Sequence, residues 1–170
     1  GDWSSDVCSS DLAFFHKLLT PVSAAGQFSS GYSVVFNTQR TTFNWYHQII
    51  GKGFEPAVGF VPRNGYNRIS PSASYLFYPK GSVINNHGPM LDVSYLWDDR
   101  YGLTDYAYRS LYSVRFQSQA ELSFGYDYTY TYLFRDFDPT NSPSGSAVEK
   151  LPKGSGYRYG VWRAGLRSEE

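Results

Sequence analysis

The histidines and carboxylates are the side chains here with the most chemistry to offer. His16, His47 and His87 stand far apart, and none has a second ligand at the close spacing of a transition-metal site. His47 alternates with Trp45 and Ile49, which suits a wall or interface position, whereas His87 falls in a turn. Asp98, Asp99 and Arg100 read as a charged turn, because a calcium loop needs more oxygen ligands at set spacing. Asp136 and Asp138, with Thr140 and Asn141, are the better cation candidates; on turn chemistry, a plain surface loop opened by Asp-Pro is the stronger reading. Glycoside hydrolysis needs two carboxylates facing each other across a cleft. Glu55, Glu121 and Asp127 are available, but Glu121 and Asp127 share one strand face roughly 20 Å apart, too far for a dyad. No nucleophile elbow, phosphate loop or dinucleotide fingerprint occurs. The reading therefore assigns no catalytic residue, no cofactor and no metal ligand, and takes the segment as non-enzymatic.

The elements that carry these residues are strands. Period-two alternation recurs and helical periodicity is scarce. Residues 30–38 put Tyr32, Val34 and Phe36 on one face, and residues 41–50 alternate Phe43, Trp45 and Ile49 with Thr42, Asn44 and Gln48. The short polar turn 37–40 makes the two a hairpin. A Gly/Pro-punctuated connection follows at 52–65, a strand region at 71–79, and a turn at 80–88. Residues 90–98 set Leu91, Val93, Tyr95 and Trp97 against Asp92, Ser94 and Asp98. After a tight turn at 99–102, the strand 103–117 sets Tyr106, Tyr108, Tyr112, Val114 and Phe116 against Asp105, Arg109, Ser113, Arg115 and Gln117. Residues 120–135 alternate most clearly, with Leu122, Phe124, Tyr126, Tyr128, Tyr130, Tyr132 and Phe134 in one stripe and Glu121, Ser123, Asp127, Thr129, Thr131 and Arg135 in the other. A polar loop, 136–156, leads to a last strand at 157–166. The total is about seven strands, with 13–25 left open between a strand end and a short helix.

The two ends of the chain read differently. Residues 2–12, DWSSDVCSSDL, are the in-frame translation of a common sequencing-library adapter, and residues 167–170, RSEE, translate the start of the adapter read from the other side. The expectation is that 1–12 and 167–170 are adapter-derived and that 13–166 is a fragment of one domain, its remainder belonging to the missing part of the same chain. The single cysteine, Cys8, lies in the first of these stretches, so 13–166 has neither disulfide nor thiol metal site. Taking Asp2, Asp6, Asp11, Glu169, Glu170 and Arg167 out of the 15 acidic and 15 basic residues leaves 10 and 14, a net charge of +4. That charge is scattered, with no cluster to suggest nucleic acid.

Rings carry the apolar load: 16 Tyr, 12 Phe and 4 Trp, interleaved with Ser, Thr, Asn and Gly. No apolar run is long enough for a transmembrane helix, but spanning strands alternate apolar-out and polar-in and give little hydropathy signal. Strands 103–117 and 120–135 exceed the ~5–6 residues usual in globular sheets and reach the about 9–11 that a tilted spanning strand needs. They are joined by a very short turn at Ser118 and Gln119, and the next connection is long, as in outer-membrane barrels. The expected fold is all-β: a partial, antiparallel transmembrane β-barrel of long meandering strands. Its lumen would be lined by Asp105, Arg109, Arg115, Glu121, Asp127 and Arg135, a mixed-charge lining that braces the wall or tunes passage of polar solutes. The alternative is a soluble β-domain of a carbohydrate-binding or carbohydrate-active protein, its rings stacking on sugars.

The string GFEPAVGFVPRNGYN at 53–67 narrows the choice. It resembles a segment near the start of the C-terminal barrel region of a bacterial outer-membrane family of unknown function (DUF5916-type), often fused to a carbohydrate-binding family 9-like domain. Phe54, Pro56, Val58, Gly59, Phe60, Arg63 and Tyr66 match; Glu55, Ala57 and the pair Asn64 and Gly65 depart. The resemblance implies a Gram-negative outer membrane, contact with the lipid bilayer and lipopolysaccharide, and a barrel serving as a pore, transporter or surface scaffold for glycans or other nutrients. It carries over no catalytic residue. On the residues themselves, Phe54, Val58 and Phe60 can pack inward while Arg63 pairs with a wall carboxylate such as Asp92 or Asp127, making the string a plug-like or lip element.

Overall fold

The computed structural model describes the backbone of residues 9–18, 28–54, 63–140 and 150–168, with side chains described from residue 28 onward. Eight strands follow one another: β1 Ser9–Leu18, β2 Phe28–Asn37, β3 Thr41–Ile50, β4 Tyr66–Tyr75, β5 Ile84–Asp98, β6 Gly102–Phe116, β7 Glu121–Tyr132 and β8 Gly156–Arg167. They form one sheet in the order β1 to β8, each antiparallel to the next. The meander is open: β1 and β8 are its edges. Among the described residues no helix is long and apolar enough to cross a membrane.

Register explains why the alternation matters. Tyr32 pairs with His47, which pairs with Ile69, which pairs with Tyr95, Tyr106, Tyr130 and Arg158 in turn. Neighbours across each step share a face, so the rings of seven strands merge into one continuous surface. The opposite face collects Ser33, Tyr46, Ser70, Ser94, Ala107 and Thr129 along a matching row. A one-residue slip anywhere would exchange the two surfaces beyond it.

Burial runs opposite to that of a soluble sheet. On the ringed face Tyr32, Phe36, Phe43, Ile49, Leu91, Tyr112 and Leu122 are exposed, and Phe124 and Trp162 reach 56% and 67%. Apart from glycines and Thr104 in the β6 bulge, the buried strand positions, Ser29, Ile50 and Asp127, are on the other face, which is mostly polar. Ile50 and Phe54 are the only buried large apolar side chains among the described residues.

The connections are asymmetric. At one end of the strands residues 19–27, 51–65, 99–101 and 133–155 join consecutive strands; at the other, 38–40, 76–83 and 117–120 do so. Long connections thus gather at one end, where only the Asp98–Gly102 turn is tight. Asp98 Oδ1 closes that turn by accepting the N–H groups of Arg100 at 2.8 Å and Tyr101 at 3.3 Å, and Gly102 takes the positive φ of 71° that ends it.

Several expected boundaries move. The region expected as a strand at 71–79 is strand from Tyr66 and stops at Tyr75; beyond it Leu76 and Phe77 bond to Arg40 and His87 before Pro79 and Gly81 turn the chain. The expected turn 80–88 is shorter: β5 begins at Ile84, so His87 is a strand residue and not a turn residue. Residues 13–18 are strand, part of β1, which starts at Ser9 within the adapter-like stretch and keeps its pairing with β2 throughout. Among the described residues the strand count is therefore eight rather than about seven.

Candidate functional site

Several charged side chains on the polar face are paired across the strands. Arg109 and Asp127 face each other across β6 and β7, with Nε 3.4 Å from Oδ1. Arg163, one strand further on, reaches the second oxygen of the same carboxylate. Asp127 is thus a buried anion held between two half-exposed guanidiniums. Further toward the short-turn end, Arg115 Nη2 meets Glu121 Oε2 at 2.9 Å. Cross-strand pairs of this kind brace a sheet without a hydrophobic core between its strands.

The half of the same face built by β2 to β5 is different. Ser29, Ser33, Thr42, Asn44, Ser70, Ser72, Ser74 and Ser94 line it. Asn44 Nδ2 donates to Ser72 Oγ at 3.1 Å, and the hydroxyls of Ser70 and Ser94 lie 3.3 Å apart. Arg68, Asp92 and Arg109 stand beside Ser70, Ser72 and Ser94 around an open hollow of about 420 Å³. Small hydroxyls thus predominate here beside charged groups of both signs.

At the long-connection end a lock joins three segments. A bulge in β6 pairs Leu96 with Asp105 and Trp97 with Leu103, leaving Thr104 between them fully buried. Thr104 Oγ1 donates to the Leu96 carbonyl at 3.2 Å and accepts from Arg63 Nη2 at 2.8 Å. Arg63 Nη1 meets Asp105 Oδ2 at 2.7 Å, and its guanidinium lies 4.1 Å from the centre of the Phe134 ring. The expected anchoring carboxylates were Asp92 and Asp127; the observed one is Asp105, which stands at the strand end beside Arg63, whereas Asp127 is taken by Arg109 and Arg163. Asn64 Nδ2 donates to the Phe54 carbonyl at 2.7 Å, and the Tyr66 hydroxyl to Gln48 Oε1 at 3.2 Å. Of the other string residues, Pro56, Val58, Gly59 and Phe60 lie outside the described residues, as does Glu55.

The rings of the ringed face are tied to one another. Tyr106 stacks on Tyr130 at 5.0 Å and Tyr95 on Trp97 at 5.5 Å, and the Tyr95 and Tyr108 hydroxyls share a hydrogen bond. His47 bridges the Tyr32 hydroxyl and Asn67 Oδ1, each at 2.6 Å. His87, expected as a turn residue, instead stacks on Phe77 at 5.3 Å and contacts the Tyr112 hydroxyl at 2.6 Å. Its strand position, with Phe77 bridged to it, explains the difference.

The remaining candidates serve the backbone. Asp138 Oδ1 accepts from the Thr140 amide at 2.8 Å and hydroxyl at 2.7 Å, and Asp136 Oδ1 from the Lys153 amide at 2.8 Å. Asn141 lies outside the described residues. Asp99 pairs with Lys52 at 3.1 Å. Among the described residues no three His, Cys, Asp or Glu side chains gather as metal ligands. Of the expected lumen set, Asp105, Arg109, Arg115, Glu121 and Asp127 share the polar face; Arg135 lies past Tyr132, where β7 ends, in the connection to β8. Arg163 and Thr104 were not anticipated. Continuing the alternation of β8 would have found Arg163, but no local signal marks the bulge that turns Thr104 inward.

No protein-family model matches the chain, and neither the characterised proteins nor the solved structures contain a significant match. What fold and site define is a class: an open, eight-stranded antiparallel meander with a ringed face and a polar, charge-braced one.

Proposed function

We propose that this sheet is part of the wall of a β-barrel in the outer membrane of a Gram-negative bacterium, serving as a pore, transport path or surface scaffold for glycans or other nutrients, with no catalytic role for the segment. The observation that carries the reading is the inverted burial: rings gathered on one face with many of them exposed, and ion-paired charges on the other. A large apolar side chain moved from water to an apolar phase gains about 1.5–3 kcal/mol, so a lipid phase would stabilise this surface where water does not. Strands of 10 to 15 residues are long enough to span. The gathering of long connections at one end matches the outer side of such barrels and the short turns the periplasmic side. The open edges call for further strands of the natural chain, since a lipid phase leaves no partner for free backbone groups.

The test is to dilute the unfolded chain into vesicles with brominated acyl chains and, separately, into buffer. The reading expects β-type circular dichroism in lipid and quenching of Trp45, Trp97 and Trp162, which all lie on the ringed face. A monodisperse fold in buffer, with no quenching when vesicles are added, would favour the soluble carbohydrate-binding domain instead.

A further inference from the structure

Beyond the two faces of the sheet, the long-connection end holds an open cleft of about 670 Å³ lined by Arg63, Asp98, Tyr132, Leu133, Phe134, Arg135 and Phe137. Its size falls in the range of small-ligand sites, about 300–1,000 Å³. Most of its charge is already used. Arg63 is committed to Asp105, Thr104 and the Phe134 ring, and one oxygen of Asp98 holds two turn amides. Two groups are not committed. Arg135 has no ion pair among the described residues, and Phe137, 50% exposed, has no ring partner among them. The chain is nonetheless fixed here. Phe137 and Leu151 exchange backbone hydrogen bonds of 3.0 and 2.9 Å, and Leu133 N–H donates to the Ser155 carbonyl at 3.0 Å.

We propose that this cleft binds an acidic saccharide, with Phe137 as the stacking platform and Arg135 as the partner of the sugar carboxylate. The C–H face of a pyranose ring packs on an aromatic face as other apolar surfaces do. A uronate carboxylate matches the flat, two-pronged donor edge of a guanidinium. Asp98 Oδ2 and the Tyr132 hydroxyl offer the acceptor and donor that ring hydroxyls require, which a purely aromatic acid would leave unused. This deepens the proposed function and rests on it only in placing the cleft at the outer mouth.

The test is titration of a galacturonic acid trisaccharide and its methyl ester onto the full chain in vesicles, or in buffer if it folds there. The ester keeps the shape and removes the charge. A charge-assisted hydrogen bond contributes about 1.5–3 kcal/mol, so the acid is expected to bind at least about tenfold tighter than the ester. Arg135→Gln should bring the two within about twofold, and Phe137→Ala should weaken both by about threefold or more, in keeping with the size of ring contacts. Arg158→Gln, an exposed arginine over Tyr130, should leave the preference intact. Equal affinity for both forms, no binding at millimolar ligand, or a preference that survives Arg135→Gln would overturn the proposal. Brominated-lipid quenching read on the same samples separates failure of the cleft from failure of the barrel reading.

Discussion

Replacing Asp127 with alanine probes the lattice that braces the polar face. The carboxylate side chain is 12% exposed, while its partners Arg109 and Arg163 are 53% and 57% exposed. Breaking a fully buried pair costs about 3–5 kcal/mol, because the surviving charge is stranded. Here the guanidiniums keep access to water, so each bridge is closer to the exposed value of up to about 1 kcal/mol. Two bridges give an expected loss of about 1–2 kcal/mol. With a urea dependence of about 2 kcal/mol per molar, the unfolding midpoint should fall by about 0.5–1 M. Arg163→Ala should cost about half as much, and the cycle with Asp127→Ala should show a coupling of about 0.5–1 kcal/mol. In 1 M salt, where the screening length is about 3 Å, the coupling should shrink. The assay is urea unfolding followed by circular dichroism in vesicles at low and high salt. An unchanged midpoint for Asp127→Ala, or zero coupling to Arg163, would refute the bracing argument.

Arg63→Ala removes an ion pair, a hydrogen bond to a buried hydroxyl and a ring contact. The expected cost is about 2 kcal/mol, with faster proteolytic cleavage in 51–65; unchanged cleavage and stability would remove its anchoring role. Gly88→Ala would push a Cβ into the Tyr75 carbonyl, so it should destabilise by more than about 1 kcal/mol, read as a lower urea midpoint. At Gly160 the atoms nearest the added methyl are the hydroxyl and ring of Tyr126, a side chain that can turn aside, so Gly160→Ala should shift the same midpoint much less than Gly88→Ala.

Much of the sheet was legible because its faces differ so sharply. Alternation from Tyr106 to Phe116 and from Leu122 to Tyr132 fixes both strand type and side, and the turn at Ser118 and Gln119 fixes their pairing. Strand ends were less legible. In 84–88, INNHG lacks the alternation that marks a strand, yet β6 supplies a partner along its length and pulls Ile84–Gly88 into the ladder. The lock at Arg63 was legible as a charge seeking a carboxylate, but its partner depends on a bulge that re-aims Thr104. Alternation in β8 would have put Arg163 on the polar face, but its partner follows from the register of β7 with β8, which no local pattern encodes.

The central claim is that rings face lipid and paired charges face water. Spin labels placed one at a time at positions 121–124 and 126–128, in a Cys8→Ser background, test it most directly. Labels at 122, 124, 126 and 128 should be open to oxygen and closed to a nickel chelate in vesicles, with 121, 123 and 127 showing the reverse. Loss of this two-residue alternation, or nickel access at both sets, would contradict the account.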